Sequence, residues 1–249
     1  MSAQTTHSAP ERLAVTDYDA FGERYVAFTN STPYNAFYDR PSVLGLAGPL
    51  DGVRVLEIGC AAGGLTGELI ERGARVTAVD RSRRMLDLAR ERHGHRAEFR
   101  VQDVADPLEF AADSSYEVVT ASLVMHYLED WGPTLREVRR VLEPGGRLVL
   151  STPHPAASVR WDQGIDYFRT HLITDEWRLG DEPIPVTFYH RPLSAICDAL
   201  RDAGLALDRL AEPMPLPECE THYPDEYAWL TTQPTSLFVR AVHPADEGR

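Results

Sequence analysis

The stretch Arg54-Val-Leu-Glu-Ile-Gly-Cys-Ala-Ala-Gly-Gly-Leu65 decides the fold. It opens with a short apolar run, which is typical of a parallel strand covered on both faces. Gly59 then allows the backbone a sharp exit, and Gly63 and Gly64 let backbone amides approach a ligand that a side chain would block. Helical periodicity follows, so the stretch predicts a strand, a glycine-rich turn and a helix. Open α/β sheets bind nucleotides at such units, at the carboxyl ends of their strands.

The spacing within the turn indicates which nucleotide is expected. A dinucleotide-binding turn reads Gly-x-Gly-x-x-Gly, whereas this chain has Ala61 at the middle glycine of the run Gly59–Gly64. A side chain there disfavours contact with the pyrophosphate of NAD or FAD, and the Gly-Lys-Ser/Thr ending of a P-loop is absent. A nucleoside ligand without a phosphate remains, of which S-adenosylmethionine is the common one.

The same stretch resembles motif I of the class I S-adenosylmethionine-dependent methyltransferases, Val-Leu-Asp/Glu-x-Gly-x-Gly-x-Gly, with Ala61 as the departure from that pattern. The run Leu142–Leu148, which contains a Pro-Gly-Gly turn, resembles the family's turn before strand five. The run Ser122–Leu128 resembles a loop of the small-molecule methyltransferases related to ubiquinone biosynthesis. The resemblance covers roughly residues 50–242 and implies S-adenosylmethionine as the cofactor.

Composition and charge exclude several other classes of function. The chain has 249 residues and a formal net charge of −13, so long-range repulsion opposes nucleic acid and anionic membranes as partners. Its three cysteines have neither metal-ligand spacing nor a disulfide pattern, which indicates a reducing cytoplasm. The first ten residues lack the apolar segment of a secretory signal, and no stretch approaches the roughly 20 apolar residues that span a bilayer.

We therefore expect an α/β fold with a Rossmann-like, seven-stranded, mostly parallel sheet. Helices cover both faces, the last strand is antiparallel, and an N-terminal helical cap and inserted lid segments complete the chain. Aromatic residues in the insertions suit either an apolar acceptor pocket or the core of a small subdomain. The predicted boundaries are a tail at 1–12, the cap at 13–48, a methyltransferase domain at 49–242 with acceptor-site insertions at 152–190 and 213–230, and a tail at 243–249.

Two carboxylates follow predicted strands and are candidates for cofactor recognition. Asp80 ends the second strand at the spacing from Gly59 that suits a ribose-binding acid, because a carboxylate accepts hydrogen bonds from both vicinal hydroxyls. Its alternative role is to cap the helix that begins near Ser82. Asp103 follows the third strand and is expected to accept the adenine amine, or else to be a turn residue. The other predicted cofactor contacts are Tyr25 of the cap, Glu57, Gly59, Cys60, Ala61, Gly63, Arg81, Met85, Gln102, Val104, Ser122 and Leu123.

Histidines are the candidate bases for methyl transfer, because a neutral imidazole accepts a proton near pH 7. His154 stands between two prolines just past the fifth strand, and His126 follows the fourth. Each is alternatively a packing or turn residue. His93 is expected to face solvent and to have no role. No Asp/Asn/Glu cluster of the kind that metal-dependent catechol methyltransferases use is evident, so we expect no metal.

Taken together, the residues and the resemblance predict a cytoplasmic methyltransferase, a monomer or homodimer, that acts on a small-molecule acceptor of secondary metabolism. The sequence does not separate O-, N- and C-methylation. Two alternatives remain open at this stage. One is an NAD(P)-dependent oxidoreductase with an atypical glycine turn, against which Ala61 argues. The other is a non-catalytic protein that binds S-adenosylmethionine.

Overall fold

Nine strands and eight α-helices make up the part of the chain that the computed structural model describes, residues 32–161, 164–179 and 182–245. A six-residue π-helix, Tyr34–Asp39, precedes the first of these helices. The strands are β1 (Arg54–Ile58), β2 (Arg75–Asp80), β3 (Ala97–Val101), β4 (Tyr116–Ala121), β5 (Leu142–Pro153), β6 (His171–Leu179), β7 (Glu182–His190), β8 (Ala206–Ala211) and β9 (Ser236–Val242). The α-helices are α1 (Arg40–Ala47), α2 (Gly64–Glu71), α3 (Arg83–His93), α4 (Gly132–Val141), α5 (Pro155–Trp161), α6 (Leu193–Asp202), α7 (Glu218–His222) and α8 (Pro224–Thr232).

Seven of the strands form one sheet in the order β3-β2-β1-β4-β5-β9-β8. Strands β1 to β5 are parallel, and β9 runs antiparallel to both β5 and β8. The predicted seven-stranded, mostly parallel sheet is thus confirmed, including the antiparallel last strand, whereas residues 13–31 of the predicted N-terminal cap lie outside the described residues. From β1 the chain builds outward to β2 and β3 on one side and then to β4 and β5 on the other. This reversal opens a crevice at the carboxyl ends of β1 and β4, where open α/β sheets bind ligands.

Helices cover both faces of the sheet because alternate residues of its strands point to opposite sides. On one face, Leu56 of β1 is buried with residues of α4 and α6. On the other face, Val55 is buried with Leu44 of α1 and Leu69 of α2. The central strands therefore have apolar contacts on both sides, as the continuous apolar run of β1 predicts.

The two predicted insertions contain regular structure that the sequence pattern did not reveal. Residues after β5 form α5 and then an antiparallel hairpin, β6–β7, which is a separate two-stranded sheet. The hairpin packs through Ile173, Val186 and Phe188 against Tyr127, which ends a short 3-10 helix after β4. Helices α7 and α8 lie in the second insertion. No helix of the described ranges has the length and apolar character needed to cross a membrane.

Candidate functional site

A cavity lies where the chain leaves β1, β2, β3 and β4 at their carboxyl ends. Most residues that the sequence proposed as ligand contacts line it, although they come from four separate segments. The structure thus brings together Glu57, Gly59, Cys60, Ala61, Asp80, Arg81, Met85, Gln102, Asp103, Val104, Ser122 and Leu123. Tyr25 lies outside the described residues.

The glycine turn after β1 is shaped by close backbone contacts. Gly59 has φ +72°, and a Cβ added there would lie 2.6 Å from Cγ2 of Val124, in the loop after β4. Glycine is therefore required where the two loops meet. Ala61 also adopts a left-handed conformation, with φ +46°, although it is not glycine. Its backbone N–H donates a hydrogen bond to Oδ2 of Asp80 at 2.9 Å.

Gly63 has a structural role that corrects the predicted ligand contact. It does not line the cavity, but it precedes α2 with φ +78°, and a Cβ there would lie 2.8 Å from Cδ2 of His93. Nε2 of His93 is 2.8 Å from the carbonyl oxygen of Gly63, and its ring stacks on Phe99. The expectation that His93 faces solvent is therefore wrong, because its imidazole packs α3 against the start of α2.

Asp80 is fixed at the cavity by backbone donors. Oδ2 accepts from the N–H of Ala61, and Oδ1 accepts from the N–H of Ser82 at 2.9 Å. The cap of α3 is Ser82 itself, whose hydroxyl accepts from the N–H of Met85 at 3.0 Å. Asp80 is thus not needed as the helix cap, and its carboxylate has a defined orientation beside the glycine turn.

Glu57 is a buried acid at the base of the cavity. Its side chain is 2% exposed and accepts a hydrogen bond from the hydroxyl of Thr66 at 2.5 Å. Burial raises the pKa of Glu57 to about 8, and the nearby charge of Asp80 adds to the effect. At neutral pH this carboxyl group is therefore largely protonated in the protein without a ligand.

The position of His126 corrects its proposed role as a base. The side chain is buried and does not line the cavity. Its ring packs on Tyr127 at 4.2 Å and edge-on against Phe188 at 5.4 Å between ring centroids. Burial lowers the pKa of His126 to about 3. The imidazole is a neutral packing group between the β4 loop and the hairpin.

His154 is likewise engaged elsewhere and does not line the cavity. Nδ1 accepts a hydrogen bond from the N–H of Ala156 at 3.0 Å, so the ring proton is on Nε2, which lies 3.0 Å from Oε1 of Glu212. Both ring nitrogens are therefore occupied. Burial also lowers the pKa of His154, and Glu212 opposes that shift. This arrangement joins the end of β5 to the segment after β8 and leaves no ring nitrogen to take a proton from an acceptor.

Several residues that line the cavity were not predicted from the sequence. Arg40 is the most informative, because its guanidinium is held by Glu68 through an Nε–Oε1 contact of 2.7 Å and is only 16% exposed. Arg40 lies at the start of α1 and not at a strand end, so no sequence pattern predicts it as a ligand contact. Across the described ranges, no group of three or more His, Cys, Asp or Glu residues is placed to hold a metal ion. Gly64, which the sequence places in the ligand-binding turn, also lines the cavity, and the cavity residues not foreseen are Asn35, Arg40, Ala62, Leu65, Arg92, Val124, Tyr127 and Leu128.

Comparison with known proteins adds the family to this geometry. Residues 56–150 match a family described as a methyltransferase domain. A structure from Listeria monocytogenes, described as a putative S-adenosylmethionine-dependent methyltransferase, superposes with a TM-score of 0.70 at 23% identity, covering 82% of this chain and 96% of that one. Residues 56–150 form a methyltransferase domain, and the chain is similar to the class I S-adenosylmethionine-dependent methyltransferases. The similarity to these proteins supports S-adenosylmethionine as its cofactor.

Two relatives show how far the likeness extends along the chain. A protein of Haemophilus influenzae is 28% identical over 248 residues, which is 92% of the methyltransferase and 97% of that protein. A ubiquinone biosynthesis O-methyltransferase of Xanthomonas oryzae is 36% identical over 124 residues. That match spans 47% of the methyltransferase and 51% of the relative, so it covers about half the length of each protein.

Proposed function

We propose that the protein transfers a methyl group from S-adenosylmethionine to an O, N or C nucleophile of a small molecule of secondary metabolism, in the cytoplasm. The observation that carries this proposal is the cavity at the crevice of the sheet. There a glycine turn meets acidic groups from three neighbouring strands, Glu57, Asp80 and Asp103. When bound, S-adenosylmethionine supplies a methyl group already activated on a sulfonium.

The cavity residues suit the separate parts of that cofactor. The two backbone bonds to Asp80 support its role as the acceptor of both ribose hydroxyls. Asp103, oriented by the N–H of Ala105 at 3.0 Å, is proposed to accept the adenine amine. Arg40 is the partner that we assign to the carboxylate of the cofactor, because it is a cation on the cavity wall. Gly59 keeps the turn clear of a side chain.

The acceptor is proposed to enter beside Tyr127 and Leu128, which line the cavity. Tyr127 also packs against the β6–β7 hairpin. Methyl transfer needs the nucleophile held close to the methyl carbon and in line with the departing sulfur. Rigid walls supply that alignment, and the β6–β7 hairpin braces Tyr127 from behind. The name of the Xanthomonas relative, a ubiquinone biosynthesis O-methyltransferase, supports a small molecule as the acceptor.

Calorimetric titration with S-adenosylmethionine and S-adenosylhomocysteine tests the proposal. Asp80→Ala should weaken both affinities by about 2–4 kcal/mol, because two charge-assisted hydrogen bonds to the ribose are lost. Asp87→Ala is the matched control, since Asp87 pairs with Arg90 on the outer side of α3 and is absent from the cavity wall. A change under about tenfold in the Asp80 variant would remove the ribose assignment.

Two further measurements separate the alternatives. Thermal stabilisation of the wild type by NAD(H), with none by S-adenosylhomocysteine, would favour an oxidoreductase. Tight binding of S-adenosylmethionine without turnover in a broad acceptor screen would favour a non-catalytic binding protein.

A further inference from the structure

Asp39 is a buried acid that the cofactor contacts above do not use. It is the last residue of the π-helix, and its side chain is 1% exposed. The hydroxyl of Ser122 donates a hydrogen bond to Oδ2 of Asp39. Burial raises the pKa of Asp39, whereas the hydroxyls of Ser122 and Ser151 and the charge of Arg40 lower it. A carboxyl group removed from water is costly unless such partners compensate.

The partners of Asp39 belong to the strand-end loop that forms one wall of the cavity. Ser122 and Leu123 both line the cavity. Leu123 has φ +47°, a strained conformation for a branched apolar residue. Its N–H donates to Oγ of Ser151 at 3.0 Å and lies 3.2 Å from the carbonyl oxygen of Ser151. Asp39 therefore faces the two hydroxyls, Ser122 and Ser151, that flank this strained turn.

A second part of the cavity wall is formed by the neighbours of Asp39 in sequence. Asn35, one turn earlier in the π-helix, and Arg40, the next residue, both line the cavity. Asp39 lies between them in sequence, is not itself a cavity residue, and accepts the hydrogen bond from Ser122. π-helical turns are rare and often occur at functional sites. Here the wide turn buries a polar residue, Asp39, while Asn35 and Arg40 line the cavity.

We infer that Asp39 is a positioning residue that fixes the Asn35–Arg40 wall against the Ser122–Leu123 wall and so sets the width of the cavity between Arg40 and Ser122. This role rests on the proposed function, because the ligand that requires that width is S-adenosylmethionine. Asp39 itself touches neither cofactor nor acceptor. Its carboxylate acts through the Ser122 hydroxyl and through the position that it gives to Arg40.

The test measures the affinity for S-adenosylhomocysteine by calorimetry in matched variants. Asp39→Ala and Ser122→Ala should each weaken binding by about tenfold, because each removes the same buried hydrogen bond. The double variant should bind no more weakly than the weaker single variant. Asp39→Asn retains an acceptor oxygen toward Ser122 and should stay within about threefold of the wild type. Asp87→Ala, on the outer surface of α3, is the control and should bind normally.

The outcomes separate this role from a general loss of folding. Circular dichroism and urea unfolding identify the variants that remain folded at the assay temperature. The inference is overturned if folded Asp39→Ala binds like the wild type, or if the two single effects add in the double variant. If Asp39→Ala does not fold, Ser122→Ala and Asp39→Asn decide, and normal binding by folded Ser122→Ala overturns the inference. Failure of the wild type to bind S-adenosylhomocysteine would instead overturn the proposed function.

Discussion

At the scale of single residues, the glycine turn shows how much strain and desolvation the cavity contains. Ala61 adopts a left-handed φ of +46°, which costs an L-residue about 1–2 kcal/mol relative to its ordinary conformations. The bond from its N–H to Asp80 offsets part of that cost. Glu57 adds a buried carboxyl group a few residues earlier. The strained backbone of Ala61 and the buried carboxyl group of Glu57 both cost folding free energy at the cavity, and such costs are common at functional sites.

Glu57 gives a prediction for the pH dependence of stability. Its pKa is about 8 in the folded protein, raised from an ordinary value of 4.5, so the folded state holds the proton more tightly than the unfolded state. The contribution of protonated Glu57 to the free energy of unfolding is therefore fully present below pH 4.5 and is lost as the pH rises through 8. Between pH 5 and 8, the free energy of unfolding of the wild type should fall by a few kcal/mol more than that of Glu57→Gln.

Urea unfolding of both proteins, without ligand, across this range measures the difference. Gln has nearly the shape of Glu and does not titrate, so it serves as the matched reference for every other group in the chain. Parallel curves for the two proteins would show that the carboxyl group of Glu57 ionises at an ordinary pH in the folded state.

At the scale of elements, the sequence predicts a helix or strand when its pattern lies in adjacent residues. The apolar run of β1, the strand over Ala97–Val101 and the capped helix after Ser82 were predicted because periodicity and caps are written in adjacent residues. The β6–β7 hairpin was not, since β7 contains two prolines and both strands mix polar and apolar residues without a clear alternation.

The same reasoning explains which site residues were predicted well. Asp80 is the last residue of β2 and Ser122 directly follows β4, so topology alone brings them to the cavity. His154 also follows a strand, but its two hydrogen bonds depend on Ala156 and on Glu212 in a separate segment. Arg40 and Asp39 were missed because the π-helix that orients them has no recognisable sequence signature. Contacts between distant segments are thus the part that pattern reasoning does not supply.

His154→Ala tests whether His154 has the structural role seen here, a contact between the end of β5 and the segment after β8, and not the proposed role as a base. The variant should lose about 1 kcal/mol of unfolding free energy, because the N–H of Ala156 loses its acceptor and the half-exposed Glu212 contact contributes little. Its affinity for S-adenosylhomocysteine should be within about threefold of the wild type, because the residue is not on the cavity wall. Urea unfolding and calorimetry measure the two quantities, and Glu212→Gln is the paired control. A loss of turnover on any acceptor, at unchanged stability and affinity, would restore His154 as the base.

At the scale of the whole molecule, the fold and the charge act on the ligand together. The reversal of strand order between β1 and β4 creates the crevice, and the family's architecture is recognisable from residues 54–65 because that unit occupies the centre of the sheet. The formal net charge of −13 surrounds this crevice with a negative field. S-adenosylmethionine carries a sulfonium and an ammonium against one carboxylate, whereas S-adenosylhomocysteine has lost the sulfonium charge. We therefore expect the field to favour binding of the cofactor over binding of its product.

Salt should reveal that distinction. Raising the ionic strength from about 0.03 M to about 0.5 M shortens the screening length to well under about 10 Å and removes the long-range attraction of the protein for a cation. The affinity for S-adenosylmethionine should then fall by a few-fold, while the affinity for the neutral S-adenosylhomocysteine should change little, because only the former ligand carries a net charge. Calorimetric titrations of both ligands at the same series of salt concentrations measure the ratio of the two dissociation constants, with the product serving as the internal control. An unchanged ratio would mean that the contacts on the cavity wall, and not the net charge of −13, discriminate between the two ligands.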